Sequence, residues 1–85
     1  MPSISTFYGI IIYMYYNDHK PPHLHAVYAE YEALMDFNGK IIEGKLPKKK
    51  RKLVEAWIIL HKEELEANWR LAREHNQITS IDPLK

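Results

Sequence analysis

From Ile4 to Tyr16 the chain is dense in β-branched and aromatic residues, the composition of a pleated surface, with only Gly9 breaking the run. The pattern predicts a strand over residues 3–16, bent or bulged at the glycine. Asn17-Asp18-His19-Lys20-Pro21-Pro22 ends it as a turn, since Asn and Asp favour turns and prolines donate no ladder hydrogen bond. Alternation resumes over residues 23–30 and again over 31–37. Asn38-Gly39 is a strong hairpin signal, and it predicts a returning fourth strand over 40–46.

Beyond Pro47 the period changes. At about 100° per residue, Leu53, Val54, Trp57, Ile58, Leu60, Leu65, Trp69, Leu71 and Ala72 fall in one broad arc, opposite Lys52, Glu55, Lys62, Glu63, Glu66, Arg70 and Arg73. The phase is kept throughout, which predicts one continuous helix over 47–75, packed through Leu53, Trp57, Leu60 and Leu65. A short extended segment is expected near 78–81. The fold class is therefore α+β: a small antiparallel β-meander of about four strands against one long C-terminal amphipathic helix. There are no repeats and no linkers, so residues 1–85 read as a single domain.

The stretch Ile10 to Tyr16 is apolar or aromatic on both faces, and one helix covers only one face of a small sheet. Either tyrosines with wetted hydroxyls coat the second face, or another chain does. The second option implies a protein partner or a dimer formed through this strand. A chain of 85 residues has a modest core and, without cysteine, no disulfide to staple it. Lack of cysteine suits a reducing compartment. No basic run precedes the first apolar stretch, and no stretch approaches the roughly twenty residues that span a bilayer. A cytoplasmic chain with no membrane segment is expected.

Net charge is +1, but unevenly spread. Residues 1–47 hold three lysines against five acids, while 48–85 hold nine basic residues against six acids. The excess comes from Lys48-Lys49-Lys50-Arg51-Lys52. Such a run opposes the positive end of the helix dipole, and a phosphate backbone would turn that repulsion into attraction, making these five a candidate nucleic-acid contact. The plainer account is a solvated helix start that keeps the chain soluble.

Three of the five histidines, His19, His23 and His25, lie within seven residues. His23 and His25, two apart, project from one strand face, and His19 can swing over it from the turn. With Asp18, Glu32 or Asp36 they approach the three-ligand set of a catalytic zinc site, so His23 and His25 are candidate metal ligands. Without metal, the three are candidate acid–base catalysts for a phosphate ester. Structurally, His23 and His25 would instead hydrogen-bond the Pro-rich turn and pack on tyrosines. His61, Glu64 and Asn68 form a second polar group beside the apolar arc. The simplest account is that the second half of the helix overhangs the sheet and stays partly solvated, the other that it binds a partner.

Ile4-Ser5, Phe7-Tyr8-Gly9-Ile10, Ile12-Tyr13-Met14, His19 and Pro21-Pro22-His23-Leu24-His25-Ala26, followed by Gly44-Lys45-Leu46-Pro47, Trp57, Leu60-His61, Leu65 and Asn68-Trp69, resemble the bacterial domain-of-unknown-function family four-one-six-zero across nearly the whole chain. The resemblance implies a short protein, often encoded beside another small uncharacterised protein in pairs proposed as toxin–antitoxin modules. It implies no catalytic residue, and the run at Lys48–Lys52 is more basic than the family leads one to expect. A binding protein of such a pair, acting on a protein partner and on nucleic acid, is the leading expectation. A small ribonuclease-like enzyme using His19, His23 and His25, with or without a divalent metal, is the alternative, and a homodimeric structural module the third. The sequence names no cofactor. It carries no phosphate-binding glycine loop, cysteine zinc site or nucleophile triad.

Overall fold

A computed structural model gives the fold and describes residues 3–16 and 19–85. Five strands follow one another, β1 (Ser3–Phe7), β2 (Ile10–Tyr13), β3 (His23–Tyr28), β4 (Tyr31–Asp36) and β5 (Ile41–Gly44). They pair antiparallel in that order. The expected first strand is thus a hairpin. Tyr8 and Gly9 have φ of 51° and 79°, the two positive values of a two-residue turn whose twist matches its strands, and Phe7 pairs with Ile10. Gly9 marks a full reversal rather than a bend, and a Cβ there would come to 3.3 Å from the Tyr28 ring. The sheet has five strands where four were expected.

The other boundaries move less. β3 ends at Tyr28, where Ala29 turns with φ 52°. β5 is confined to residues 41–44, and its register with β4 shifts between Leu34 and Met35. Gly44 crosses β4 so closely that a Cβ would collide with the Glu32 carbonyl oxygen.

The helical stretch divides into α1 (Lys48–Leu60) and α2 (Lys62–Arg73), with His61 between them at φ −121° and ψ 24°. One unbroken helix was the expectation. The phase survives the break because hydrogen bonds run across it, from His61 N–H to the Trp57 carbonyl (3.0 Å) and from Leu65 N–H to the His61 carbonyl (2.9 Å). Val54, Trp57, Ile58, Leu65, Trp69 and Ala72 are buried. Leu60, expected among the packing residues, is 67% exposed beside Ile59. It lies about 120° from the centre of the buried stripe, farther round than the half-buried Leu53 and Leu71.

The helices cover the sheet face that carries Phe7, Ile10, Ile12, Ala26, Ala33 and Met35. A Schellman arrangement ends α2: Asn76 N–H donates to the Leu71 carbonyl and His75 N–H to that of Ala72, with His75 at φ 59°. The chain then returns across the core without forming a strand. Ile81 is buried, and its N–H donates to the Ile4 carbonyl at 2.8 Å. Trp57 Nε1–H donates to the Asp82 carbonyl at 2.8 Å. Asn68 binds Thr79 at three points: its amide donates to the Thr79 carbonyl, and its oxygen accepts from both the N–H and the hydroxyl of Thr79. The second half of the helix is therefore not left overhanging, since the tail covers it and Asn68 is 1% exposed. Among the described residues no helix is long and apolar enough to cross a membrane.

Trp57→Ala removes a fully buried indole and should cost about 3–5 kcal/mol in urea unfolding. Asn68→Ala strands the Thr79 backbone groups and should cost about 1–3 kcal/mol. Amide exchange at Thr79 and Ile81 should then lose protection well before that at the sheet centre.

Candidate functional site

β3 begins at His23, so His23 and His25 leave the same sheet face two residues apart. Their ring centroids are 5.2 Å apart, and His19 lies 5.2 Å from His23 on the other side. The three imidazoles thus form a row with His23 in the middle. His23 Nδ1–H donates to the Pro21 carbonyl at 2.7 Å, which in the neutral ring leaves the lone pair on Nε2. Its ring also meets Trp69 of α2 at 5.4 Å, and it is 1% exposed. His25 donates from Nδ1 to Glu32 Oε2 at 3.3 Å and receives the edge of Tyr15 at 4.4 Å. Both features of a structural role, the bond to the Pro-rich turn and the tyrosine contact, are present.

Of the acids considered as further ligands, Glu32 reaches His25. Asp36 pairs with His23 in the ladder, but its Oδ1 accepts from Asn38 and Lys40 N–H at 2.9 and 3.0 Å and so serves the turn. Asp18 lies outside the described residues. Among the described residues no group of three or more His, Cys, Asp or Glu side chains is arranged to hold a metal ion.

Beside the row is a groove of about 670 Å³, walled by Pro21 and Pro22, floored by Phe37 and Trp69, and lined by balanced charge, Lys62, Arg70 and Arg73 against Asp36, Glu66 and Glu74. The aromatic floor was not anticipated as part of a site. Trp69 was legible only as the far end of the helical arc, and nothing local marks it as a neighbour of His23.

The basic run sits at the other end of the sheet. In an antiparallel meander alternate turns share an end, so Tyr8-Gly9, Ala29-Glu30 and the entry to α1 lie together, opposite the histidines. From His23 to Tyr28 the strand covers roughly 16 Å at 3.3 Å per residue. The run is also divided. Lys50 faces the core side of α1, where its Nζ donates to the Tyr8 carbonyl at 3.0 Å and sits 4.6 Å from the centroid of the Tyr28 ring. Arg51 pairs with Glu55 at 3.4 Å. Lys48, Lys49 and Lys52 are exposed. The polar trio separates too: His61 Nδ1–H donates to Glu64 Oε1 at 2.6 Å, while Asn68 holds the tail.

A family model described as a domain of unknown function (DUF4160) matches residues 9–70. That stretch contains the histidine row, most of the groove and the basic run, and it omits β1 and the tail. No curated protein and no solved structure matches the chain.

His23→Ala should cost about 1–3 kcal/mol, because it removes a buried hydrogen bond and a contact with Trp69. His25→Gln, at a half-buried position, should stay within about 1 kcal/mol of the parent. Paired urea titrations distinguish the two.

Proposed function

The chain belongs to the DUF4160 family, and from that premise we propose that it is the binding component of a two-protein module of the toxin–antitoxin type, meeting its protein partner through the sheet face that the helices leave uncovered. One observation carries this reading. On that face Ile11 stands beside Val27, and Tyr13 beside His25 and then Leu34, a cross-strand strip of apolar and aromatic side chains in which His25, paired with Glu32, is the polar member. All are only half-buried, whereas their neighbours Ile10, Ile12, Leu24 and Ala26 on the helix-covered face are fully buried. A strip of this kind on a small protein is the usual mark of an interface. The resemblance to a family whose members are often encoded in pairs supplies the kind of partner.

The test is co-expression with the product of the adjacent gene. The two proteins should elute together, and Val27→Lys with Leu34→Lys should separate them while the variant still unfolds cooperatively. Co-elution that survives both lysines, or a chain that stays monomeric by light scattering and ignores that product, counts against the reading.

A second reading is a small ribonuclease-like enzyme. It draws on the row of His19, His23 and His25 beside a groove that Arg70 and Arg73 help to line. His19→Asn with His25→Gln should then abolish RNA cleavage and leave the melting temperature nearly unchanged. Cleavage that persists in the double variant removes this reading.

A further inference from the structure

We propose that the turn end of the sheet binds single-stranded nucleic acid, with Tyr8 as the ring on which a base stacks and Lys48, Lys49 and Lys52 as the phosphate contacts. The surface is separate from the partner-binding strip, and the two are open to independent test.

The first observation is where the lysines point. Taking the buried Val54 as the centre of the core side, Lys48, Lys49 and Lys52 lie on the solvent side of α1, at about 100° per residue, and all three are exposed. The first turn of α1 holds no acid, and the ion pair formed within the run joins Arg51 to Glu55. Three lysines therefore present their charge outward, and the carboxylate nearest them on the helix, Glu55, is engaged by Arg51. Lys50, on the inward side, is the exception that fixes the arrangement. Its bond to the Tyr8 carbonyl and its seat over Tyr28 hold this helical turn against the tip of the β1–β2 hairpin.

The second observation is the residue at that tip. The first position of a two-residue turn with both φ values positive favours Asn, Asp or Gly, and a bulky residue there is an outlier. This chain has Tyr8, at φ 51°. The ring does not recover the cost by packing, since Tyr8 is 53% exposed. A strained position holding an exposed aromatic side chain points to use of the ring itself. It stands next to the lysine-bearing turn because its own carbonyl is bound by Lys50.

An exposed ring at the same end of the sheet as three exposed lysines suits a strand whose bases are unstacked. Stacking on the ring tolerates any base, and the lysines follow the phosphates. A duplex buries its base faces in its own stack and gives the ring nothing to meet. An acidic protein would satisfy the lysines but leaves the strained tyrosine without a role.

The experiment measures anisotropy of a short labelled oligouridylate across a salt titration, beside thermal melts. Tyr8→Asn suits the turn better than the parent residue, so its melting temperature should rise while affinity falls roughly ten-fold. Lys48→Gln, Lys49→Gln and Lys52→Gln together should reduce the slope of log K against log salt by about two. Val27→Asn with Leu34→Asn, which alters the strip without adding charge, should leave oligonucleotide binding intact whatever becomes of partner binding. The proposal is overturned if the parent protein does not bind at low salt, if Tyr8→Asn binds as tightly as the parent, or if a duplex of equal length binds as well. It is equally overturned if the lysine variant loses the adjacent gene's product instead of the oligonucleotide.

Discussion

The indole of Trp57 joins parts of the chain that are far apart in sequence. It is fully buried, lies 5.3 Å from the ring of Phe7 in the first hairpin, meets His61 between the two helices, and donates its N–H to the carbonyl of Asp82 in the tail. In a protein of 85 residues with no disulfide, one large side chain that closes sheet, helix and tail together is a substantial part of what holds the fold. The tail has no ladder of its own. It depends on that bond, on the clamp from Asn68 and on burial of Ile81, and residues beyond 70 lie outside the stretch matched by the family model.

With the core placed on one face, meander topology distributes the remaining chemistry. Successive hairpins put the histidine row and its groove at one end of the sheet and the basic helix start at the other. The candidate acid–base histidines and the candidate phosphate-binding run are thereby kept apart. Arg70 and Arg73, from the far end of the helical segment, line the groove together with Lys62. The uncovered sheet face lies between these ends.

The histidine row illustrates how a cluster read from spacing changes character in three dimensions. Strand alternation places His23 and His25 on one face, and their rings do lie side by side. Spacing carries no information about depth, and depth is what decides whether an imidazole meets solvent or substrate. His23 is sealed by Trp69 and tied to Pro21, so the accessible chemistry belongs to its neighbours on either side.

Much of the architecture was legible from local pattern. The α+β class, the meander and the inward positions of Val54, Trp57, Ile58, Leu65 and Trp69 follow from period and composition, because those are properties of a few adjacent residues, while the family was legible only as a resemblance carried by motifs such as Pro21-Pro22-His23-Leu24-His25. Lys50 was read with the rest of the basic run as a nucleic-acid contact, and its inward position emerges only from its bond to the Tyr8 carbonyl. What escaped depends on contacts between distant segments. Gly9 reverses the chain because Phe7 pairs with Ile10, and Leu60 is exposed because nothing reaches the flank of the stripe there. Asn68 is buried because Thr79 returns to meet it. A periodic pattern states which way a side chain points, and only the folded chain decides what, if anything, stands opposite it.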